Sequence, residues 1–93
     1  AREVVELHFR LANVAMDAGD LDVAELHYKQ ALRIDLGLVA AWCNLGNVLQ
    51  QRGAPADALP YYEQALKLDP THLATRLNLV RALIAGENWG LAR

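Results

Sequence analysis

The chain has 93 residues, 54% of them hydrophobic, and a formal charge of -2. That is apolar material for one small folded domain, and the balance lacks the basic excess that DNA, RNA or an anionic membrane surface requires, so neither nucleic acid nor membrane is expected as a partner. A single cysteine, Cys43, excludes an internal disulfide and a cysteine cage for metal.

Leu7, Leu11, Val14 and Ala15 recur at helical spacing and meet a break at Ala18-Gly19-Asp20, which predicts a first helix and its stop. A second amphipathic run spans Leu21 to Ile34, with Ala24, Tyr28, Ala31 and Leu32 on one face and Asp20 placed as N-cap. A third covers Val39 to Arg52 and ends at Gly53. The fourth runs from Pro55, tolerated at a first helical position, to Leu68, ahead of Asp69-Pro70. Pro60 lies inside it and removes a backbone donor, so a local distortion is expected, costing less than the ~3 kcal/mol of a central proline. Thr71 is placed to cap a fifth helix ending at Ala85. After Gly86, the segment Asn88 to Arg93 reads as the opening of a sixth.

These elements repeat. Residues 5–38 overlay residues 39–72 without a gap at a period of 34, and eleven pairs are identical, among them Leu11/Leu45, Asn13/Asn47, Gly19/Gly53, Ala24/Ala58 and Tyr28/Tyr62. Chance would supply roughly two. Such a period means a solenoid of supersecondary units, each burying its apolar face against a neighbour. The expectation is one all-α domain over residues 1–93, with repeat 1 at 5–38, repeat 2 at 39–72 and a partial repeat 3 at 73–93. The chain opens at Ala1 and stops in mid-pattern, which leaves open whether it is a piece of a longer protein, and the cytoplasm is the default compartment.

Repeat 2 supplies Trp42, Leu45, Gly46, Leu49, Ala58, Tyr62, Ala65 and Pro70, a pattern that resembles the tetratricopeptide repeat. Repeat 1 offers His8, Leu11, Ala12, Ala15, Ala24, Tyr28, Ala31 and Leu36, departing at the tryptophan and proline positions. Repeat 3 offers Arg76, Leu79, Val80 and Leu83, with Ala92 near the end. The resemblance covers essentially the whole chain. It implies a right-handed superhelical solenoid of antiparallel helix hairpins, about two and a half repeats long. Small residues at Ala12, Gly46, Ala24 and Ala58 let paired helices approach, and Tyr28 and Tyr62 fill the space beside them as core.

By the same resemblance, the free face of the first helix of each unit lines a groove for an extended peptide. Carried onto this sequence, the groove residues are Phe9, Arg10, Asn13 and Asp17 in the first unit, and Cys43, Asn44, Asn47, Gln50 and Gln51 in the second. The third contributes Leu77, Asn78 and Arg81. Asn13 and Asn47 share one register, and Asn44 and Asn78 the adjacent one. A carboxamide both donates and accepts, so such rows suit a peptide backbone whatever its side chains. Asparagine is a mediocre helix former, and helix propensity does not explain four of them on one face. Similar rows occur in the repeats of O-linked N-acetylglucosamine transferases. The family's clamp for a terminal carboxylate keeps its asparagines here as Asn13 and Asn44 but needs cations at Phe9, Ala74 and Asn78, which this chain lacks.

Three histidines, one cysteine and eleven carboxylates form no catalytic or metal-binding spacing, with His8, His27 and His72 read as spread over different hairpins. No enzyme activity and no cofactor are expected. The reading is a protein-interaction module. The alternative is self-assembly, or a stacking element in a larger repeat protein such as the repeat region of a glycosyltransferase, because the fifth helix leaves Leu79, Leu83, Trp89 and Leu91 seeking cover.

Overall fold

The computed structural model describes residues 2–91, with side chains described for 2–86. Five helices follow one another: α1 (Arg2–Asp17), α2 (Leu21–Ile34), α3 (Val39–Gln51), α4 (Pro55–Leu68) and α5 (Leu73–Leu91). α1 pairs with α2 and α3 with α4 as antiparallel hairpins, α2 stacks on α3, and α5 lies on α4 and the edge of α3.

Each hairpin turn is built on a glycine in left-handed backbone, Gly19 at φ 80° and Gly53 at φ 84°. The bonds Asp20 N to Ala15 O at 2.8 Å and Gly19 N to Met16 O at 3.0 Å close α1 with the paired closure that such a glycine permits. Ala54 N to Leu49 O at 2.9 Å and Gly53 N to Gln50 O at 3.0 Å repeat it at the end of α3. Asp20 then caps α2, its side chain accepting from Val23 N at 3.2 Å.

The predicted stop at Gly86 does not occur, and α5 continues to Leu91. Gly86 is one residue out of register: the position equivalent to Gly19 and Gly53 is Glu87, for which left-handed backbone is costly. The start of α5 also differs. His72 occupies the cap, its carbonyl accepting from Arg76 N at 3.1 Å and its Nδ1 lying 3.4 Å from Thr75 N. Thr71 bonds instead to Asp69 Oδ1, at 3.1 Å through N and 2.8 Å through Oγ1. Pro60 stands inside α4, which runs through it unbroken. Ala56, whose carbonyl would accept from residue 60, is exposed and has access to water.

The core follows the repeat. Ala12, Ala24, Tyr28, Leu32, Ala41, Leu45 and Val48 form one cluster across α1, α2 and α3. Cys43, Ala58, Tyr62 and Ala82 form the next, with Leu49, Leu59 and Leu79 against it. Full burial of Leu45 and Val48 contributes roughly 1.5–3 kcal/mol each. Across the surface of the α2/α3 junction, Arg52 reaches Asp22 at 2.5 Å and Glu25 at 3.1 Å, exposed contacts that solvent screens.

Both ends are open. On α1 the stripe Val4, Leu7, Leu11 and Val14 is exposed, whereas its equivalents Ala41, Leu45 and Val48 are covered by α2. On α5 the open stripe is Leu73, Leu77, Val80 and Ile84. Leu83 is exposed as expected, but Leu79 is not: it packs on the second cluster, because the helix turns its 75–79–82 face to α4. The side chains of Trp89 and Leu91 lie outside the described residues, as does Ala92.

Candidate functional site

The predicted groove residues fall on α1, α3 and α5, and polar side chains link these helices in turn. The bonds between them are side-chain bonds: Asn44 Nδ2 on α3 donates to Asn13 Oδ1 on α1 at 3.3 Å, and Gln50 Nε2 on α3 donates to the Asn78 carbonyl on α5 at 3.0 Å. The carboxamides therefore hold neighbouring units together.

The second helix of each unit reaches into this surface from below. Tyr28, 1% exposed, donates its hydroxyl to Asn13 Oδ1, and Tyr62, fully buried, donates to Asn47 Oδ1 at 2.6 Å. Tyr62 also accepts from Gln50 Nε2 at 2.8 Å. Both tyrosines pack as the sequence implies, and their hydroxyls hold the carboxamides of Asn13 and Asn47 as well. The signal was present: each pair is fifteen residues apart, and both members recur one repeat later. Burial pushes the Tyr28 phenol up to about 12, with the Asn44 carboxamide pulling the other way and the Asp17 charge adding to the rise. Burial raises Tyr62 too, opposed by Gln50 and by the Arg81 charge.

These bonds leave an ordered set of groups unengaged among the described residues. Asn13 Oδ1 takes two donors, so its Nδ2 is free. Asn44 Oδ1, Asn47 Nδ2 and Gln50 Oε1 are free as well. In chain order they are a donor, an acceptor, a donor and an acceptor, the last three on α3.

The remaining predicted residues divide. Met16, Asn47, Gln50, Gln51, Asn78 and Arg81 line one cavity of about 290 Å³ spanning all three helices. Phe9 and Arg10 line a separate hollow of about 200 Å³ with Val5, Glu6 and Leu38, and Phe9 packs edge-on to Tyr28 with ring centres 5.9 Å apart. Asp17 and Leu77 are exposed. Cys43 is only 3% exposed and lies beneath the surface, where Asn78 Nδ2 approaches its sulfur at 3.5 Å.

One pairing corrects the sequence reading. His8 and His27 belong to the same hairpin, with Nδ1 atoms 3.0 Å apart and ring centres at 5.2 Å. They occupy the register of Trp42 and Tyr61, whose rings stand 6.1 Å apart in the next hairpin. His72 is remote from them, at the start of α5, bonded through Nδ1 to Thr75 Oγ1 at 2.7 Å. Among the described residues no three His, Cys, Asp or Glu side chains gather to hold a metal, and no helix is long and apolar enough to cross a membrane.

The chain resembles several known proteins. It is 33% identical over 78 residues to the mouse protein O-mannosyl-transferase TMTC1 and 31% identical over 68 residues to the Drosophila melanogaster protein O-mannosyl-transferase Tmtc3. These alignments take in 84% and 73% of this chain but only 8% and 7% of the relatives, so the chain spans less than a tenth of their length. The crystal structure of MamA protein superposes with a TM-score of 0.82 at 26% identity, covering 88% of this chain and 45% of that one. The tetratricopeptide repeat family matches twice, over residues 39–72 and 5–37, the same two units that the internal period and the paired hairpins define. On these grounds the chain belongs to the tetratricopeptide repeat family.

Proposed function

We propose that residues 1–93 act as one non-catalytic recognition module that binds an extended segment of a partner protein along α1, α3 and α5. The observation that carries this reading is the alternation of free groups at Asn13, Asn44, Asn47 and Gln50. An extended backbone presents N–H and C=O groups in turn, and a surface offering acceptors and donors in turn satisfies them without reading side chains. Because Tyr28 and Tyr62 hold Asn13 and Asn47 in place, less side-chain entropy is lost on binding. Affinity is modest, since the peptide itself must be ordered.

The test is fluorescence anisotropy against an array of labelled unstructured peptides, comparing the chain with an Asn44→Ala, Asn47→Ala variant of unchanged helicity. Peptides bound by the original and released by the variant support the groove. Equal binding by both places recognition elsewhere and overturns it.

The open stripes on α1 and α5 favour a second reading, as a stacking element within a larger repeat array. The likeness to protein O-mannosyl-transferases supports the version in which such an array presents a protein substrate to chemistry performed elsewhere. Sedimentation at several concentrations tests self-stacking: association reversed by Val80→Lys supports it, and a monomer at every concentration sinks it.

A further inference from the structure

We infer that the cavity between α1, α3 and α5 is a subsite for a carboxylate side chain, an aspartate or glutamate of the bound segment. This rests on the reading of the groove as a peptide site and adds a preference that the carboxamide rows alone do not have.

Arg81 stands where Asn13 and Asn47 stand in the preceding units, so the row that begins with two carboxamides ends in a guanidinium. In those units a tyrosine from the second helix engages the groove residue. Among the described residues Arg81 makes no ion pair, and its charge reaches the Tyr62 phenol at the floor. Around it the cavity offers Asn47 Nδ2, free because Tyr62 occupies the oxygen of that carboxamide, and the exposed amide of Gln51. Gln50 is spent on Tyr62 and the Asn78 carbonyl and contributes no donor. Met16 forms an apolar wall.

One cation, two neutral donors and an apolar wall in about 290 Å³ match a single carboxylate on a short methylene stem. A dianionic phosphate would want a second cation, and among the described residues Arg81 is the only Lys or Arg that lines the cavity. The subsite is displaced from the free groups of Asn13 and Asn44, so the acidic residue falls at one end of the segment that the rows hold.

The experiment titrates N-acetyl-glutamate N-methylamide, and separately its glutamine counterpart, into isotopically labelled protein and follows the side-chain N–H signals of Asn47, Gln51 and Arg81. The expected result is a saturable shift with the glutamate compound, about tenfold weaker with glutamine, as one charge-assisted hydrogen bond predicts. The difference disappears in Arg81→Gln and persists in Asn44→Ala. Equal shifts from the two compounds, or a glutamate preference that survives Arg81→Gln, overturn the subsite. Because the small probe does not need the carboxamide rows, its result separates from that of the peptide array. Array peptides that bind through Asn44 and Asn47 with no acidic preference leave the groove standing and remove the subsite.

Discussion

Tyr62 Oη donates to Asn47 Oδ1 at 2.6 Å, from a position fifteen residues later and one helix deeper. The same hydroxyl accepts from Gln50, whose other N–H reaches the Asn78 carbonyl, so one buried phenol ties together α3, α4 and α5. Tyr62→Phe keeps the ring and removes the oxygen. We expect a loss of about 1–3 kcal/mol, the range for stranding partly buried polar partners, together with weaker peptide binding because Asn47 and Gln50 lose their orientation. Urea unfolding and the peptide array read the two effects, and wild-type values on both would show the bond to be incidental.

Gly46 lies under the same ring. A Cβ built there falls 2.5 Å from Tyr62 Cε1 and 2.8 Å from Cζ. The ring is fully buried and its hydroxyl is tied, so it yields only by breaking those bonds. Gly46→Ala gains about 1 kcal/mol of helix propensity and is expected to lose more than this through overpacking, in the range of 1–3 kcal/mol. Ala12 takes this place in the core beside Tyr28 in repeat 1, so the fold admits a methyl at this register, and that bounds the penalty. Thermal unfolding of the variant decides the sign, and a rise in Tm contradicts the close fit.

Alkaline pH addresses the other tyrosine. Burial raises Tyr28 from its ordinary 10.0 to about 12 in the fold. Between these values the unfolded chain has released a proton that the folded chain keeps, so stability is fully present below pH 10, falls as pH rises towards 12 and then levels. Urea midpoints across this range should decline in the original chain and decline less in Tyr28→Phe. Identical slopes in the two proteins would remove Tyr28 as the cause.

Much of this architecture was legible because the repeat sets residue types in register. Helix ends at Gly19 and Gly53 follow from a residue type that alone adopts their backbone cheaply, and α2 and α4 fall where their alanine and tyrosine spacing puts them. Gly86 misled for the same reason: residue type suggested a stop, but its place in the period, one short of the turn, did not. The cap at His72 and the covered face of Leu79 depend on how α5 is rotated against α4, which helical spacing alone leaves open. The carboxamide rows were visible as residues, whereas the polarity of their free groups depends on tyrosine hydroxyls from the other helix. Cys43 shares the groove register yet sits beneath it, as an apolar-leaning side chain beside polar neighbours does.

The pair His8 and His27 is the clearest difference between the two hairpins. In repeat 2 the equivalent contact is Trp42 on Tyr61, strengthened by Trp42 Nε1 donating to the Leu36 carbonyl at 2.9 Å. In repeat 1 two half-buried imidazoles meet through Nδ1 atoms 3.0 Å apart, a contact that requires one nitrogen to donate and the other to accept. Removing one ring leaves the other without that partner, so His8→Ala is expected to cost about 1–3 kcal/mol. Replacing both, His8→Trp with His27→Tyr, substitutes the larger aromatic contact already proven in the same register, and aromatic pairs contribute about 0.5–1.5 kcal/mol beyond their area. The double variant should therefore be at least as stable as the original chain, while each single change is less stable. Because the partners touch, the effects will not add, and the coupling in a cycle of His8→Ala, His27→Ala and the double change, read by urea unfolding, measures the contact without a new one in its place. Additive single and double effects would mean that the two rings are neighbours without a shared bond.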